Sequence, residues 1–141
     1  MSQQNVDIAK RGIDAFNRRN VDLLAMLVTP DFAWFPALPG IVEGDGYRGR
    51  EGIETYFDEI SNTWEELRVL GGEFRDLGDR VVVLGRTEGR GRGSGVQVDS
   101  PLAMVFDFLE DKMSRVLTYL DHGEALRAAG LSDWGSGAGV R

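Results

Sequence analysis

The spacing of apolar residues changes once along this chain, near Trp64, and this change limits the folds open to it. Before Trp64, apolar side chains recur every three or four residues, which is the period of one helix face. The two clearest stripes are Val6, Ala9, Ile13 and Phe16, and then Ile53, Tyr56, Phe57 and Ile60. After Trp64, short apolar runs alternate with turn signals, which is typical of strands. We therefore expect helices first and a sheet second.

The apolar segments also predict the order of the elements. Two helices, at residues 3–19 and 21–29, precede a short strand at 32–35, because Pro30 cannot continue the second helix. A Pro/Gly-rich loop at 36–49 leads to a third helix that ends before Trp64. Four strands are expected around 69–70, 81–84, 102–108 and 116–120, and a last helix in GEALRAAGL.

This order predicts an α+β fold in which a curved mixed or antiparallel sheet wraps around three N-terminal helices. Residues 1–131 are expected to form one domain, and the Gly/Ser-rich tail at 132–141 is expected to be disordered. The strand at 81–88 is apolar on both faces, with Val82 and Leu84 on one and Val81 and Val83 on the other. One face can cover the helices while the other packs on a second subunit, so we expect a homodimer through the sheet.

Composition excludes several kinds of site. The chain has no cysteine and one histidine, His122, so neither a thiolate nor a histidine metal cluster can form. The spacing of Asp99, Asp107, Glu110 and Asp111 fits no calcium loop. We expect no metal and no cofactor.

Charge and hydropathy limit the partners. A net charge of −7 repels polyanions, so we expect no nucleic-acid partner. No stretch approaches the ~18 apolar residues that cross a bilayer, and the first residues lack the apolar run of a secretory signal. We expect a cytoplasmic protein without a membrane partner.

The segment GRTEGRGRGSGVQ, residues 85–97, is the most unusual stretch of the chain. Its glycines suggest a phosphate-binding loop, but no helix follows to offer its N-terminus to an anion. We interpret the segment as the turn of a hairpin between two long strands, with glycines where the backbone turns tightly.

Three segments carry a resemblance to a known family: YRGREGIETYF, GDRVVVLGRTEGRGRGSG and YLDHGEALRAAGL. With the order of elements, they resemble the SnoaL-like members of the nuclear-transport-factor-2-like superfamily, over a region from about residue 5 to Leu131. The resemblance implies a cone-shaped α+β barrel around a small-molecule pocket. It also implies chemistry without a cofactor.

The superfamily also includes ketosteroid isomerases, which use a tyrosine, a carboxylic acid and an aspartate base. The matching positions here are Gly12, Met104 and Phe35 or Pro36, which lack those groups. The resemblance therefore does not imply steroid isomerase activity, since such a reaction needs a base and donors for the enolate.

Epoxide hydrolases of the superfamily resemble this chain at Arg86, Glu88 and Asp121, and Asp121 also matches the acid/base aspartate of SnoaL-type polyketide cyclases. These three residues are the catalytic candidates for acid/base chemistry on a hydrophobic substrate. The candidate substrate-binding residues are Phe16, Trp34, Phe57, Trp64, Met104 and Tyr119. Two alternatives stay open: Arg86 and Glu88 form a surface ion pair, or the protein is a non-catalytic module that binds a ligand or dimerises.

Overall fold

The structure is a computed structural model that describes residues 2–36 and 46–130. Its elements, in chain order, are α1 (Ser2–Asn17), α2 (Val21–Met26), β1 (Val28–Phe35), β2 (Tyr47–Arg48), α3 (Gly49–Thr63), β3 (Trp64–Asp76), β4 (Arg80–Gly91), β5 (Gln97–Leu109), β6 (Lys112–Tyr119) and α4 (His122–Ala128). The six strands form one curved sheet in the order β2-β1-β6-β5-β4-β3. The predicted α+β fold is confirmed.

The sheet is mixed, because β1 pairs with β6 in parallel while the other neighbours are antiparallel. The observed strands are longer than their apolar runs, since β3 and β5 each extend over 13 residues that include exposed charged side chains. The two-residue strand β2 was not predicted. It lies at the end of the expected loop, of which residues 37–45 lie outside the described residues, as does the tail at 132–141.

The hairpin interpretation of residues 85–97 is confirmed. The chain turns between β4 and β5, where the backbone N–H of Gly91 donates to Val96 O at 2.8 Å. Gly93 and Gly95 have φ of 85° and 70°, which glycine adopts without a steric penalty. Earlier in β4, a side chain at Gly85 would come within 2.1 Å of Leu70 O, so the close approach of β3 requires glycine there.

The two faces of the sheet contact different helices. The inner face, which includes Val81, Val83 and Thr87 of β4, packs on α1 and α3 in the main hydrophobic core. The outer face, which includes Val82 and Leu84, packs in a second cluster with Ala125 and Leu126 of α4. Alternation along the strand separates the two sets.

Helix α4 therefore covers the apolar outer face that we expected a second subunit to cover. Ala125 is fully buried and Leu126 is 4% exposed, and Val82 beneath them is also fully buried. The ring of His122 fixes the start of the helix, since its Nε2 donates to Gly85 O at 2.9 Å. The sequence argument for a dimer overlooked this intramolecular cover. The homodimer itself stays a prediction.

Candidate functional site

A small cavity of about 50 Å³ lies between the inner face of the sheet and α1. One wall is aromatic and consists of Phe16, Phe32, Trp34, Tyr56 and Phe106. The aliphatic part of the lining includes Leu67, Val69, Leu102, Met104, Met113 and Val116. The sequence places apolar side chains here because the stripe of α1 and the inner-facing residues of the strands converge on one core.

The aromatic wall is held rigidly by edge-to-face packing. The ring centroids of Trp34 and Tyr56 are 4.6 Å apart at an interplanar angle of 85°, and those of Phe16 and Trp34 are 5.6 Å apart at 68°. Tyr47 stacks on the other side of Tyr56 with a centroid distance of 4.9 Å. Such pairs contribute about 0.5–1.5 kcal/mol each beyond the area they bury. The wall is therefore preorganised.

Gly12 and Met113 lie next to each other in the lining of the cavity. A side chain at Gly12 would place its Cβ 3.0 Å from Met113 Cε and 3.3 Å from Met113 Sδ. The thioether of Met113 therefore occupies the space next to Gly12. Methionine has three rotatable side-chain bonds, so this part of the wall can adapt more easily than the aromatic part.

Hydroxyl groups provide the polarity of the cavity. Thr87 is 1% exposed, and its Oγ1 donates to Arg68 O at 3.2 Å. Thr118 lies opposite Met104 in the β5–β6 register, and Tyr56 contributes a phenol. Burial raises the pKa of Tyr56 well above its ordinary value, with a smaller contribution from Tyr47. The phenol is therefore neutral at physiological pH and acts as a hydrogen-bonding group.

No charged or imidazole side chain belongs to the described part of the cavity wall. Of the predicted substrate-binding residues, Phe16, Trp34 and Met104 lie in the wall. Phe57 lies behind it, in edge-to-face contact with Phe16 at 6.0 Å. Sequence reasoning missed the polar wall residues Thr87 and Thr118, since a threonine within a strand has no distinctive spacing.

Two predicted substrate-binding residues lie elsewhere. Tyr119 packs in the outer cluster beneath α4, because it follows the inner-facing Thr118 by one residue on β6. Trp64 lies at the start of β3, partly buried against the main core, and lines a separate groove. We correct both placements: neither residue is among the described residues of the cavity wall.

The catalytic candidates also lie outside the cavity. Thr87 faces the cavity, so its strand neighbours Arg86 and Glu88 point to the other side of the sheet. Arg86 forms an ion pair with Asp99, and Glu88 lies 3.5 Å from Arg68. Arg86 and Glu88 therefore share one face of β4, and it is the face opposite the cavity.

Asp121 is exposed at the start of α4. Its Oδ1 accepts a hydrogen bond from the backbone N–H of Gly123 at 2.8 Å, which is the contact of a helix N-cap. Asp121 is not among the described residues of the cavity wall, because it lies where a helix begins. A catalytic role for Asp121, Arg86 and Glu88 stays a prediction.

Comparisons with known proteins agree with this architecture and define its class. An NTF2-like protein of unknown function from Burkholderia pseudomallei has a TM-score of 0.75 and 21% identity, over 88% of this chain and 95% of that one. TerC, crystallised with polyporic acid, has a TM-score of 0.74 and 21% identity, over 84% and 92%. A putative SnoaL-like polyketide cyclase from Jannaschia has a TM-score of 0.73 and 22% identity, over 85% and 87%. The fold is thus that of NTF2-like proteins.

A comparison of the sequence with family models identifies the family within this class. Residues 9–116 match the model of the SnoaL-like domain, and the chain belongs to that family. No curated protein gives a significant match. None of the described helices combines the length and the apolar character that a membrane span requires.

Proposed function

We propose that this protein binds a small, uncharged, largely apolar molecule in the cavity between α1 and the inner face of the sheet. The observation that carries the proposal is the chemistry of the wall, in which aromatic and aliphatic side chains surround the hydroxyls of Tyr56, Thr87 and Thr118. Sites of this kind use the apolar surface for affinity and a few polar groups for orientation. Each Å² of apolar ligand surface removed from water contributes about 25 cal/mol.

The volume of the cavity limits the ligand. A space of about 50 Å³ is smaller than the ~150 Å³ that admits benzene in an apolar protein core. A ring-sized ligand therefore requires the wall to move. We assign this movement to Met104 and Met113, because their thioether side chains change rotamer more readily than the packed aromatic rings of the lining.

The proposal is tested by enlarging the cavity. Met113→Ala removes the flexible side chain beside Gly12, so benzene should bind with higher affinity than to the unaltered protein, as measured by titration calorimetry. Leu126→Ala is the matched control, since it truncates a buried side chain of similar size in the outer cluster. This control should leave benzene affinity unchanged.

The outcomes of this test are distinct. Equal benzene affinity in Met113→Ala and the control would contradict a ligand site at the cavity. A thermal melt of each variant establishes that it is folded, because both substitutions remove core volume and cost about 2–5 kcal/mol of stability. If Met113→Ala does not fold, Met113→Val gives the smaller enlargement with the same expected direction.

The non-catalytic function competes with acid/base catalysis of the hydrolase or cyclase type. The titratable candidates Arg86, Glu88 and Asp121 all lie outside the described cavity wall. A molecule bound between Trp34 and Met104 would be separated from Arg86 by the sheet itself. This separation favours binding over carboxylate catalysis in the cavity, and the substitution of Asp121 argued in the Discussion tests the catalytic alternative.

A further inference from the structure

A second concave feature lies at the end of the sheet where β3 begins, β4 ends and β5 begins. This groove has a volume of about 730 Å³ and is bounded by the end of α1 and the last turn of α3 as well. Leu67 lines both the groove and the apolar cavity. Arg90 and Arg92 of the segment 85–97 line the groove, so this segment contributes side chains to a concave surface as well as forming a hairpin turn.

The carboxylates of the groove all have arginine partners. Arg90 contacts Glu65 at 3.3 Å and Glu66 at 3.1 Å, while Arg68 lies 3.5 Å from Glu88. Asp99 pairs with Arg86, which is not among the groove residues. Four carboxylates thus share the three guanidinium groups of Arg68, Arg86 and Arg90, which leaves an excess of one negative charge among these partners.

Two further guanidinium groups line the groove, and backbone carbonyls hold them in place. Arg19 donates to Phe16 O and, at 2.7 Å, to Leu67 O. Arg92 donates through Nε to Ser61 O at 2.9 Å and through Nη2 to Trp64 O at 3.2 Å. A carbonyl oxygen orients a guanidinium but does not neutralise its charge. Each guanidinium has five N–H donors. The hydrogen bonds to described residues use only some of them, so both groups retain donors for a ligand.

Arg19 is held with particular rigidity. Its φ of 53° is in the left-handed region, and its guanidinium lies 4.6 Å from the centroid of the Phe16 ring. Arg19 is partly buried, and this burial lowers the pKa of its guanidinium. A nearby anion would gain more from such a cation than from a fully hydrated one.

Trp64 also lines the groove. Its indole Nε1 is buried and has no hydrogen-bond partner among the described residues. Buried N–H groups almost always have a partner, so an unmatched one calls for an explanation. A reorientation of the indole ring toward the groove would bring this N–H to a ligand acceptor.

We propose that this groove binds a small organic acid in its carboxylate form, with Arg19 and Arg92 as the anion-binding residues. A guanidinium matches a carboxylate in planar, two-point geometry, which favours this anion class. The groove is polar and lies outside the apolar cavity. This inference does not depend on the proposed cavity ligand.

The test uses the full chain and glutarate as the probe, with the uncharged glutaramide as its control. Titration followed by NMR should show saturable binding of glutarate at low salt, with a shift of the Trp64 indole N–H resonance. Glutaramide should produce neither effect. Benzene, the cavity probe, should leave the Trp64 resonance unchanged, so the two sites are distinguished.

A matched pair of variants locates the site. Arg92→Gln should weaken glutarate binding by about tenfold or more, because it removes a charged donor. Arg115→Gln makes the same change in net charge at an exposed residue outside the groove lining, where its partner Asp107 keeps its contact with Arg80, and should alter the affinity by no more than about twofold. Arg19→Lys keeps the positive charge but loses the planar two-point hydrogen bonding of the guanidinium, so it should weaken binding as well.

Three results would overturn the proposal. These are the absence of saturable glutarate binding to the unaltered protein, equal weakening by Arg115→Gln and Arg92→Gln, or equal shifts with glutarate and glutaramide. Circular dichroism of each variant establishes that a loss of binding does not reflect unfolding.

Discussion

Asn17 and Val69 form a reciprocal pair of hydrogen bonds that joins α1 to the outer edge of β3. Asn17 Nδ2 donates to Val69 O at 2.9 Å, and the backbone N–H of Val69 donates to Asn17 Oδ1 at 2.8 Å. Because β3 is the last strand of the sheet, the amide takes the place of a neighbouring strand. The contact also positions Arg19, two residues further on.

We predict that Asn17→Ala lowers the free energy of unfolding by about 2 kcal/mol, since it removes two partly buried hydrogen bonds. Urea unfolding followed by circular dichroism measures the change. Gln3→Ala is the control, because Gln3 is an exposed amide on the same helix whose side chain donates only to Asp7. A loss of similar size in both variants would contradict the edge-pairing role.

Substitutions of Asp121 test whether this residue is a helix cap or a catalytic acid. Asn accepts the hydrogen bond from Gly123 about as well as Asp, whereas Ala does not. We therefore expect Asp121→Asn to preserve stability and Asp121→Ala to cost about 1 kcal/mol, as measured by thermal unfolding. Benzene binding in the Met113→Ala background should be unchanged by either substitution.

The catalytic hypothesis makes a different prediction for the same variants. If Asp121 transfers a proton, Asp121→Asn abolishes turnover of any substrate while the protein stays folded. Conversion of an epoxide or polyketide by the unaltered protein, lost in Asp121→Asn, would establish the acid/base function and contradict the purely binding role.

Much of the fold could be predicted from the sequence because the apolar periods are clear in both halves. The faces of β4 could not be assigned, since Val81, Val82, Val83 and Leu84 are all apolar and either set suits a core. The position of α4 decides this, because it packs on Val82 and Leu84. A seven-residue helix has too few residues for its periodicity to show which surface it covers.

The candidate site was only partly predictable for the same reason. Phe16, Trp34 and Met104 lie in the cavity wall, as their apolar character suggested. In the segment 86–88, the sequence analysis selected the charged residues Arg86 and Glu88 as candidates. Thr87, which lies between them, is the residue that faces the cavity. Neighbouring residues of a strand point to opposite faces of the sheet. Arg86 and Glu88 therefore lie on the face away from the cavity.

The buried phenol of Tyr56 predicts a loss of stability at alkaline pH. Burial raises its pKa in the folded protein above the ordinary value of about 10. The unfolded chain therefore releases this proton first, and the free energy of unfolding falls as the pH rises above about 10, by up to about 1.4 kcal/mol per pH unit. Below that pH the contribution is fully present.

Urea unfolding between about pH 8 and pH 11 measures this slope. Tyr56→Phe keeps the ring against Trp34 and removes the titrating group, so the fall should be shallower in this variant. Identical slopes in the two proteins would show that Tyr56 does not carry the effect. An ultraviolet titration of the phenolate in both proteins gives an independent readout.

The cover that α4 provides predicts how the protein assembles. Leu126 and Ala125 bury Val82, Leu84 and Val105 within the chain, so this part of the outer face is not available to a second subunit while α4 is in place. Leu126→Asp places a carboxylate in this cluster and should detach α4, while the main core of α1 and α3 is unaffected. The uncovered apolar patch should then drive self-association, seen as a larger species in sedimentation velocity. Glu124→Asp, an exposed change on the same helix, is the control and should sediment like the unaltered protein. A dimer of the unaltered protein that persists in Leu126→Asp would place the subunit contact on another surface.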